Sequence, residues 1–171
     1  IGRNPSSRGN ILRYNYFHDC GSASKMNMGI YCDDSSTDVF IFGNVFSNMN
    51  TNHGVVFSNG GWDIVVKNNI VVNPISHTGV VSALYYTWAA PQAKEFFDEG
   101  GLIRKRLEKE VNYKSPPYST KYPILQSYLN VITAGKEWQG MRAQGNLLAD
   151  NVIVGGPENP IHLMGGQYAQ M

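Results

Sequence analysis

The sequence predicts an all-β protein, namely a right-handed parallel β-helix in which coils of about 25 residues stack as a solenoid. Three short runs of similar form, GIYC, GVVF and GVVS, begin at Gly29, Gly54 and Gly79 and are therefore spaced by 25 residues. A second series of apolar runs keeps the same spacing between Asn44 and Asn69. The composition agrees, because only 16% of the residues are charged, whereas glycine and aromatic residues are frequent.

The second series marks a bend in each coil, because each of its runs contains an asparagine: Asn15, Asn44, Asn69 and Asn151. Asparagine tolerates left-handed backbone angles, and stacked amides can form hydrogen bonds from one coil to the next. A β-sandwich is the alternative fold, but it would show hairpin turns and longer alternating strands. The period predicts that the following residues face inward: Ile30, Val55 or Val56, Val80 or Val81, and Ile161.

The period is lost once, and we expect residues 85–144 to form a helical and irregular insertion within a single β-helix domain that spans residues 1–171. Residues 93–111 have helical spacing that Gly100 and Gly101 interrupt, and residues 122–129 suit a short helix with Pro123 in its first turn. The charges of this segment are typical of a solvated face.

Composition and charge exclude several classes of protein. The formal net charge is +1 without a basic stripe, which argues against a nucleic-acid partner. No apolar run reaches the roughly 18 residues of a membrane span. The spacing of Cys20 and Cys32 is not that of a metal site, and two buried thiols are favoured over a disulfide.

The two ends of the sequence suggest cuts through a longer protein, because the chain starts at Ile1 without a signal pattern and stops soon after a strand-like run. The terminal coils of a solenoid need caps, and no capping helix is evident. We therefore expect exposed strand edges that favour self-association.

Three segments carry a resemblance to a known group of proteins: GIYCDDSSTDVFIFGNVF, GVVFSNGGWDIVVKNNIVVNP and SPPYSTKYPIL. They resemble the right-handed parallel β-helix repeat proteins of gut and soil bacteria, near glycoside hydrolase family 141, over about residues 10–165. The resemblance implies an exported glycan-degrading enzyme, either secreted or located in the periplasm or at the cell surface. Relatives often carry IHLDARG where this chain has VVSALYY, so that Ser82 stands where an acidic residue is expected.

The strongest candidates for catalysis are Asp33 and Asp34, which directly follow the strand predicted at residues 29–32. Adjacent carboxylates can supply a general acid or a nucleophile for glycoside cleavage, and they can also bind Ca²⁺ or simply cap a turn. His18, next to Asp19, is a third candidate, for acid–base work or for a sugar hydroxyl. Asp19 also falls at the position of Asn48 and Asn73 in later coils, which favours a structural polar column.

Candidate substrate-binding residues lie in the loops around the same strands. His53 and His77 precede glycine-led strands, while Ser58 and Asn59 are small residues that leave room for a sugar. Trp62 can either stack on a sugar ring or belong to the core. The full set of substrate-binding candidates is Ser58, Asn59, Trp62, His53 and Ser82.

Three functions remain open, all with a polysaccharide or oligosaccharide partner. A carboxylate-based glycoside hydrolase is the leading interpretation, with no cofactor and no metal site. A polysaccharide lyase, with bound Ca²⁺, needs basic residues, and only Lys25 and the histidines lie near the cleft. The third is a non-catalytic glycan binder or adhesin. Because the next coils offer no acid equivalent to Asp33, we expect this chain alone to be inactive as a glycosidase.

Overall fold

The computed structural model describes residues 2–22, 27–76, 79–84 and 90–164. The described chain is mostly β with few helices, which confirms the all-β expectation at that level. Its strands are β1 (Asn10–Arg13), β2 (Tyr16–His18), β3 (Ile30–Cys32), β4 (Thr37–Phe42), β5 (Val45–Ser47), β6 (Asn50–Thr51), β7 (Val56–Asn59), β8 (Trp62–Lys67), β9 (Ile70–Val72), β10 (Ile75–Ser76), β11 (Val81–Leu84), β12 (Val131–Thr133), β13 (Glu137–Trp138), β14 (Leu147–Ala149), β15 (Val152–Val154) and β16 (Ile161–Met164).

Three parallel sheets of four strands each dominate the described structure. Sheet 1 has the order β1-β4-β8-β14, sheet 2 the order β2-β5-β9-β15, and sheet 3 the order β3-β7-β11-β16. Residues 25 apart pair in register, as Phe40 does with Val65 and Val45 with Ile70. The repeat in the sequence is therefore a repeat of parallel strand pairing, in which successive passages of the chain visit sheets 3, 1 and 2 in the same order.

The core between the sheets forms because alternate residues of each strand face inward. Ile30, Val55, Val56 and Val80 are buried, which confirms the predicted inward set for these coils. Ile161 lies in the same register column as Ile30, Val56 and Val81, as predicted, although it is 49% exposed. It pairs with Val81 in the last strand of sheet 3, and no further strand of the described chain covers its other side.

An asparagine ladder connects the bends, as the sequence predicts. Nδ2 of Asn15 donates to Oδ1 of Asn44 at 2.9 Å, Asn44 donates likewise to Asn69 at 3.0 Å, and Asn69 to Asn151 at 2.9 Å. The left-handed angle lies one residue earlier than expected, at Tyr14, Gly43, Asn68 and Asp150. The ladder positions therefore need asparagine for the hydrogen bonds of its side-chain amide, and not for its tolerance of a positive φ.

Residues 90–141 contain the helices of the described chain and a second core. The helices are α1 (Ala90–Phe97), α2 (Leu102–Lys105) continuing as a π-helical turn (Arg106–Glu110), α3 (Tyr118–Lys121) and two 3₁₀ helices (Pro123–Ser127, Gln139–Met141), while β12 and β13 pair antiparallel. The helix expected at residues 122–129 is shorter and of the 3₁₀ type. Trp62 of β8 lies in this second core, together with Phe97 and Tyr128.

A buried arginine joins this helical segment to the coils. The side chain of Arg8 is 4% exposed, its Nη2 lies 2.5 Å from Oδ2 of Asp63, and its guanidinium lies 4.7 Å from the ring centroid of Tyr122. The hydroxyl of Tyr118 also donates to the carbonyl of Ser6. These contacts hold the helices against the corner that leads from sheet 3 to sheet 1.

Both cysteines are free. Cys32 is buried in the core between the sheets, as expected, whereas Cys20 is exposed, which corrects the expectation of two buried thiols. Among the described residues, no helix is both long and apolar enough to cross a membrane.

Candidate functional site

The two aspartates after β3 lie in a tight turn. Ser35 has a positive φ of 58°, and the amide and hydroxyl of Ser36 both donate to the carbonyl of Asp33, at 3.0 Å and 2.6 Å. Serine and aspartate suit such a turn because their side chains can bond nearby backbone groups. The turn fixes the direction of both carboxylates, which then have different environments.

Asp33 is the accessible member of the pair, with its side chain 26% exposed. Oδ1 accepts a 2.5 Å hydrogen bond from the hydroxyl of Tyr31, and Oδ2 lies 3.3 Å from Nε of Arg3. Burial acts to raise the pKa of Asp33, but the Tyr31 hydroxyl, the amide of Asp34 and the charge of Arg3 together hold it below its ordinary value. Asp33 is therefore suited to be an ionised base, nucleophile or hydrogen-bond acceptor rather than a general acid.

Asp34 is enclosed, with its side chain 5% exposed. Oδ1 accepts a 2.5 Å hydrogen bond from Nδ2 of Asn59, and Oδ2 lies 3.0 Å from the Nε of Arg3 that also contacts Asp33. Because both oxygens are engaged, Asp34 orients its neighbours and is not a second free carboxylate. The two aspartates thus differ in role, which their adjacency in the sequence does not indicate.

Beside Asp33, Tyr31 and Phe57 form a stacked aromatic face, of which only Tyr31 is partly exposed because Phe57 is buried, at 3% exposed. They are register partners on β3 and β7, and their rings stack with centroids 5.4 Å apart. Burial, followed by the hydrogen bond to Asp33, raises the pKa of Tyr31 to about 12, so the phenol stays protonated and donates. The sequence reasoning missed Tyr31, although alternation with the inward Ile30 and Cys32 indicates that its ring faces outward.

Three of the predicted binding residues surround this face. Asn59 contacts both Asp34 and the hydroxyl of Tyr31, the latter at 3.2 Å. The ring of His53 meets Phe57 edge-on with centroids 5.5 Å apart. Ser82 is the register partner of Phe57 on β11, and His162 follows on β16. Within the described structure, Oγ of Ser82 and Nδ1 of His162 are buried without a hydrogen-bond partner.

Two further predicted binding residues are, like the fully buried Ser82, placed where they cannot contact a substrate. Ser58 is buried, and its hydroxyl donates to the carbonyl of Gly60 at 2.6 Å, because it follows the outward Phe57 and turns toward the core. Trp62 is fully buried, with its ring 4.7 Å from that of Tyr128 and its Nε1 donating to the carbonyl of Arg142. Of the two roles that the sequence left open for Trp62, its burial therefore supports the core position and not the sugar-stacking one.

His18 lies apart from Asp33, on sheet 2 rather than sheet 3. Its Nδ1 lies 2.9 Å from Oδ2 of Asp19, and its ring stacks on Tyr16, with both histidine and aspartate exposed. Asn48 donates to Asp19 at 3.0 Å, and both residues have positive φ, which supports the predicted polar column. Two further candidates, Lys25 and His77, lie outside the described residues.

The aspartate pair does not fit a cation site, because the guanidinium of Arg3 already lies between the two carboxylates. Across the described ranges, no group of three or more His, Cys, Asp or Glu side chains could hold a metal ion. Ca²⁺ prefers six to eight oxygen ligands without a competing positive charge. The aspartates therefore give no support to a Ca²⁺-dependent reaction.

The lowered pKa of Asp33 predicts how acid affects the protein. Since the folded pKa lies below the unfolded value, ionised Asp33 stabilises the fold above about pH 4, and this contribution is lost as pH falls through the folded pKa. We expect the unfolding midpoint of the wild type to fall more steeply on acidification than that of Asp33→Asn. Asp150→Asn, at a carboxylate that is 63% exposed, is the matched control. Equal pH slopes in the wild type and Asp33→Asn would contradict the contacts of Asp33.

Comparison of the chain with protein-family models, with curated proteins and with solved structures finds no match. The resemblance to β-helix enzymes therefore gains no independent support from these comparisons. The chemistry of the site rests on its own residues, in particular on Asp33, Tyr31 and Arg3.

Proposed function

We propose that this chain is a stretch of right-handed parallel β-helix from an exported glycan-degrading protein related to glycoside hydrolase family 141. Three parallel sheets in a 25-residue register and the continuous asparagine ladder support the β-helix architecture. The bound partner is a polysaccharide or oligosaccharide, and the cleavage of glycosidic bonds belongs to the full-length protein.

The observation that carries this proposal is the ionised, accessible Asp33 beside the partly exposed ring of Tyr31, which stacks on the buried ring of Phe57. A carboxylate accepts hydrogen bonds from sugar hydroxyls, and an aromatic face packs against the apolar side of a sugar ring. Asp33 and the ring of Tyr31 bring the two kinds of contact to one place, because the Tyr31 hydroxyl donates to the Asp33 carboxylate and orients it.

The charge of the site favours a neutral glycan over a uronate. Arg3 faces two carboxylates, so this group of three side chains carries one net negative charge when Asp33 and Asp34 are ionised. A lyase needs the opposite, namely positive charge that neutralises the uronate carboxylate. We therefore place hydrolase-type chemistry ahead of lyase chemistry, with Asp33 as base or nucleophile.

Glycoside cleavage also needs a second carboxyl group, within roughly 5–9.5 Å of the first. Asp34 is engaged with Asn59 and Arg3, and the register partners of β3 in the next two coils supply neutral side chains. This supports the expectation that the present chain alone is inactive as a glycosidase. It also sustains the second candidate function, a non-catalytic glycan binder or adhesin.

A glycan array tests the proposal with the chain as it is. We expect binding to at least one neutral oligosaccharide, and Asp33→Asn should weaken that binding about tenfold or more because a charge-assisted hydrogen bond is lost. Tyr31→Phe, which keeps the ring face, should weaken it less. Asp150→Asn on sheet 1 is the control and should leave binding unchanged.

Three results would contradict parts of the proposal. Binding confined to uronate oligosaccharides would replace the hydrolase proposal with a lyase. Absence of binding to any glycan, or binding that Asp33→Asn leaves unchanged, would show that Asp33 and its neighbours are not the binding site. Turnover of a bound oligosaccharide by the wild-type chain would contradict the missing second acid.

A further inference from the structure

Segment 2–8 lies directly against the turn that holds the two aspartates. The backbone amide of Arg3 donates to the carbonyl of Asp34 at 2.8 Å. Nε of Arg3 lies 3.3 Å from Oδ2 of Asp33 and 3.0 Å from Oδ2 of Asp34. Gly2 packs so closely that a Cβ atom there would lie 2.7 Å from the Cβ of Asp33. The segment is thus built against the turn, and it places one positive charge between both carboxylates.

The backbone of Arg3 adopts a conformation that arginine disfavours. Its φ is 50°, in the left-handed region where Cβ crowds the following carbonyl group. Bonds to nearby residues shape the rest of the segment. Oδ1 of Asn4 accepts from the amide of Ser6 at 3.1 Å, and the hydroxyl of Thr37 donates to the carbonyl of residue 5 at 2.8 Å. Because disfavoured backbone angles persist only where surrounding contacts fix them, the position of Arg3 depends on what holds the segment.

The helical segment of residues 90–141 holds segment 2–8 by its backbone carbonyls. Nη1 of Arg106, in the π-helical turn, donates to the carbonyl of Arg3. The hydroxyl of Tyr118 donates to the carbonyl of Ser6, and burial raises the pKa of Tyr118, so that the phenol remains a donor. Since both acceptors belong to the main chain, these two bonds fix the path of segment 2–8 rather than a single side chain.

The group that this arrangement moves or holds is the cation beside Asp33. In the described structure, the charged or titratable side chains that face Asp33 are Tyr31 on β3, Asp34 in the turn, and Arg3. Tyr31 and Asp34 keep their places through the strand and the turn, whereas Arg3 depends on segment 2–8. Without Arg3, the two aspartates would be adjacent like charges, and Oδ2 of Asp33 would lose the partner that fixes its direction.

We infer that Arg106 and Tyr118 are positioning residues, which act through segment 2–8 to keep Arg3 between the two carboxylates. The helical segment thereby controls the charge and the direction of the Asp33 carboxylate without itself contacting the glycan. The positioning of Arg3 does not depend on any ligand, whereas its effect on glycan affinity rests on the function proposed for Asp33.

Carbon-13 NMR titration of the Asp33 carboxyl tests this inference in the whole chain. We expect Arg3→Gln to raise the pKa of Asp33, because it removes the positive charge beside the carboxylate. Arg106→Leu and Tyr118→Phe should each raise this pKa as well, although Arg3 is still present, and the change at Tyr118 removes no charge. Each should also weaken glycan binding about threefold, because a carboxylate that is no longer preorganised must be ordered on binding.

Lys109→Leu is the matched control, because it removes a positive charge from the same π-helical turn at an exposed residue. It should leave the pKa of Asp33 and the glycan affinity unchanged. In an Arg3→Gln background, Arg106→Leu and Tyr118→Phe should have no further effect on this pKa, since they act only through Arg3. Circular dichroism should show that every variant is folded.

Two results would overturn the inference. One is a pKa of Asp33 that Arg3→Gln raises but that Arg106→Leu and Tyr118→Phe leave unchanged. The other is a rise that these two variants cause equally with and without Arg3. Either result leaves the glycan array as a separate test of Asp33, whereas a raised pKa in a chain that binds no glycan would support the positioning and contradict the proposed function.

Discussion

Replacing Asn69 by alanine should lower the free energy of unfolding by about 3 kcal/mol or more, measured by urea denaturation. The side chain is buried, and its Oδ1 accepts from the backbone amide and Nδ2 of Asn44, while its Nδ2 donates to the carbonyl of Ile41 and to Asn151. Alanine leaves these groups buried without partners, and each unsatisfied group costs about 1–3 kcal/mol.

The control for this substitution is Asn15→Ala at the exposed end of the same ladder. Asn15 donates to Asn44 but receives no ladder bond of its own in the described structure, and water can replace what is lost there. We expect a loss of about 1 kcal/mol or less. Equal losses at the two positions would show that the ladder does not hold the coils together.

Trp62→Ala should be similarly damaging, with a loss of about 3–5 kcal/mol in unfolding free energy. The indole is fully buried between β8 and the helical segment, lies with its ring tilted against that of Tyr128, and donates to the carbonyl of Arg142. Alanine leaves a large cavity where the two hydrophobic cores meet and removes the hydrogen bond to the carbonyl of Arg142. The expected consequence is loosening of residues 90–141, visible as faster amide hydrogen exchange in that segment.

Trp62→Phe is the matched variant, because it keeps most of the buried ring but removes the indole donor. It should cost clearly less than Trp62→Ala, and neither variant should alter glycan affinity in samples that remain folded. A stable Trp62→Ala protein that has lost glycan binding would restore the sugar-stacking role that the sequence suggested.

The coil architecture was predictable because each repeat is a local pattern with a fixed spacing. Parallel pairing places Val45 against Ile70 and Asn44 against Asn69, so equivalent residues recur along the chain at the length of one coil. The position of the left-handed angle was not predictable in the same way. Tyr14, which is neither glycine nor asparagine, adopts φ of 59° because the ladder amide that follows it fixes the bend.

The site was only partly predictable, because its chemistry depends on residues that are distant in the chain. Asp33 and Asp34 have the same side chain, and what separates them is their contacts with Tyr31 and Asn59. Arg3 reaches both from a segment that carries no recognisable motif. The role of Trp62 stayed open in the sequence because the helices that bury it come from residues 90–141, whose packing does not follow the repeat.

Nuclear Overhauser spectroscopy of the 19.0 kDa chain tests the central structural claim most directly. Parallel register pairing predicts contacts between residues 25 apart in the same order along both strands: Phe40 with Val65, Ile41 with Val66, and then Phe42 with Lys67. The side-chain amides of Asn44 and Asn69 should also show a mutual contact, since they lie within hydrogen-bonding distance. Contacts that run in opposite order along the two strands would identify antiparallel hairpins and would contradict the stacked-coil architecture on which the candidate site around Asp33 depends.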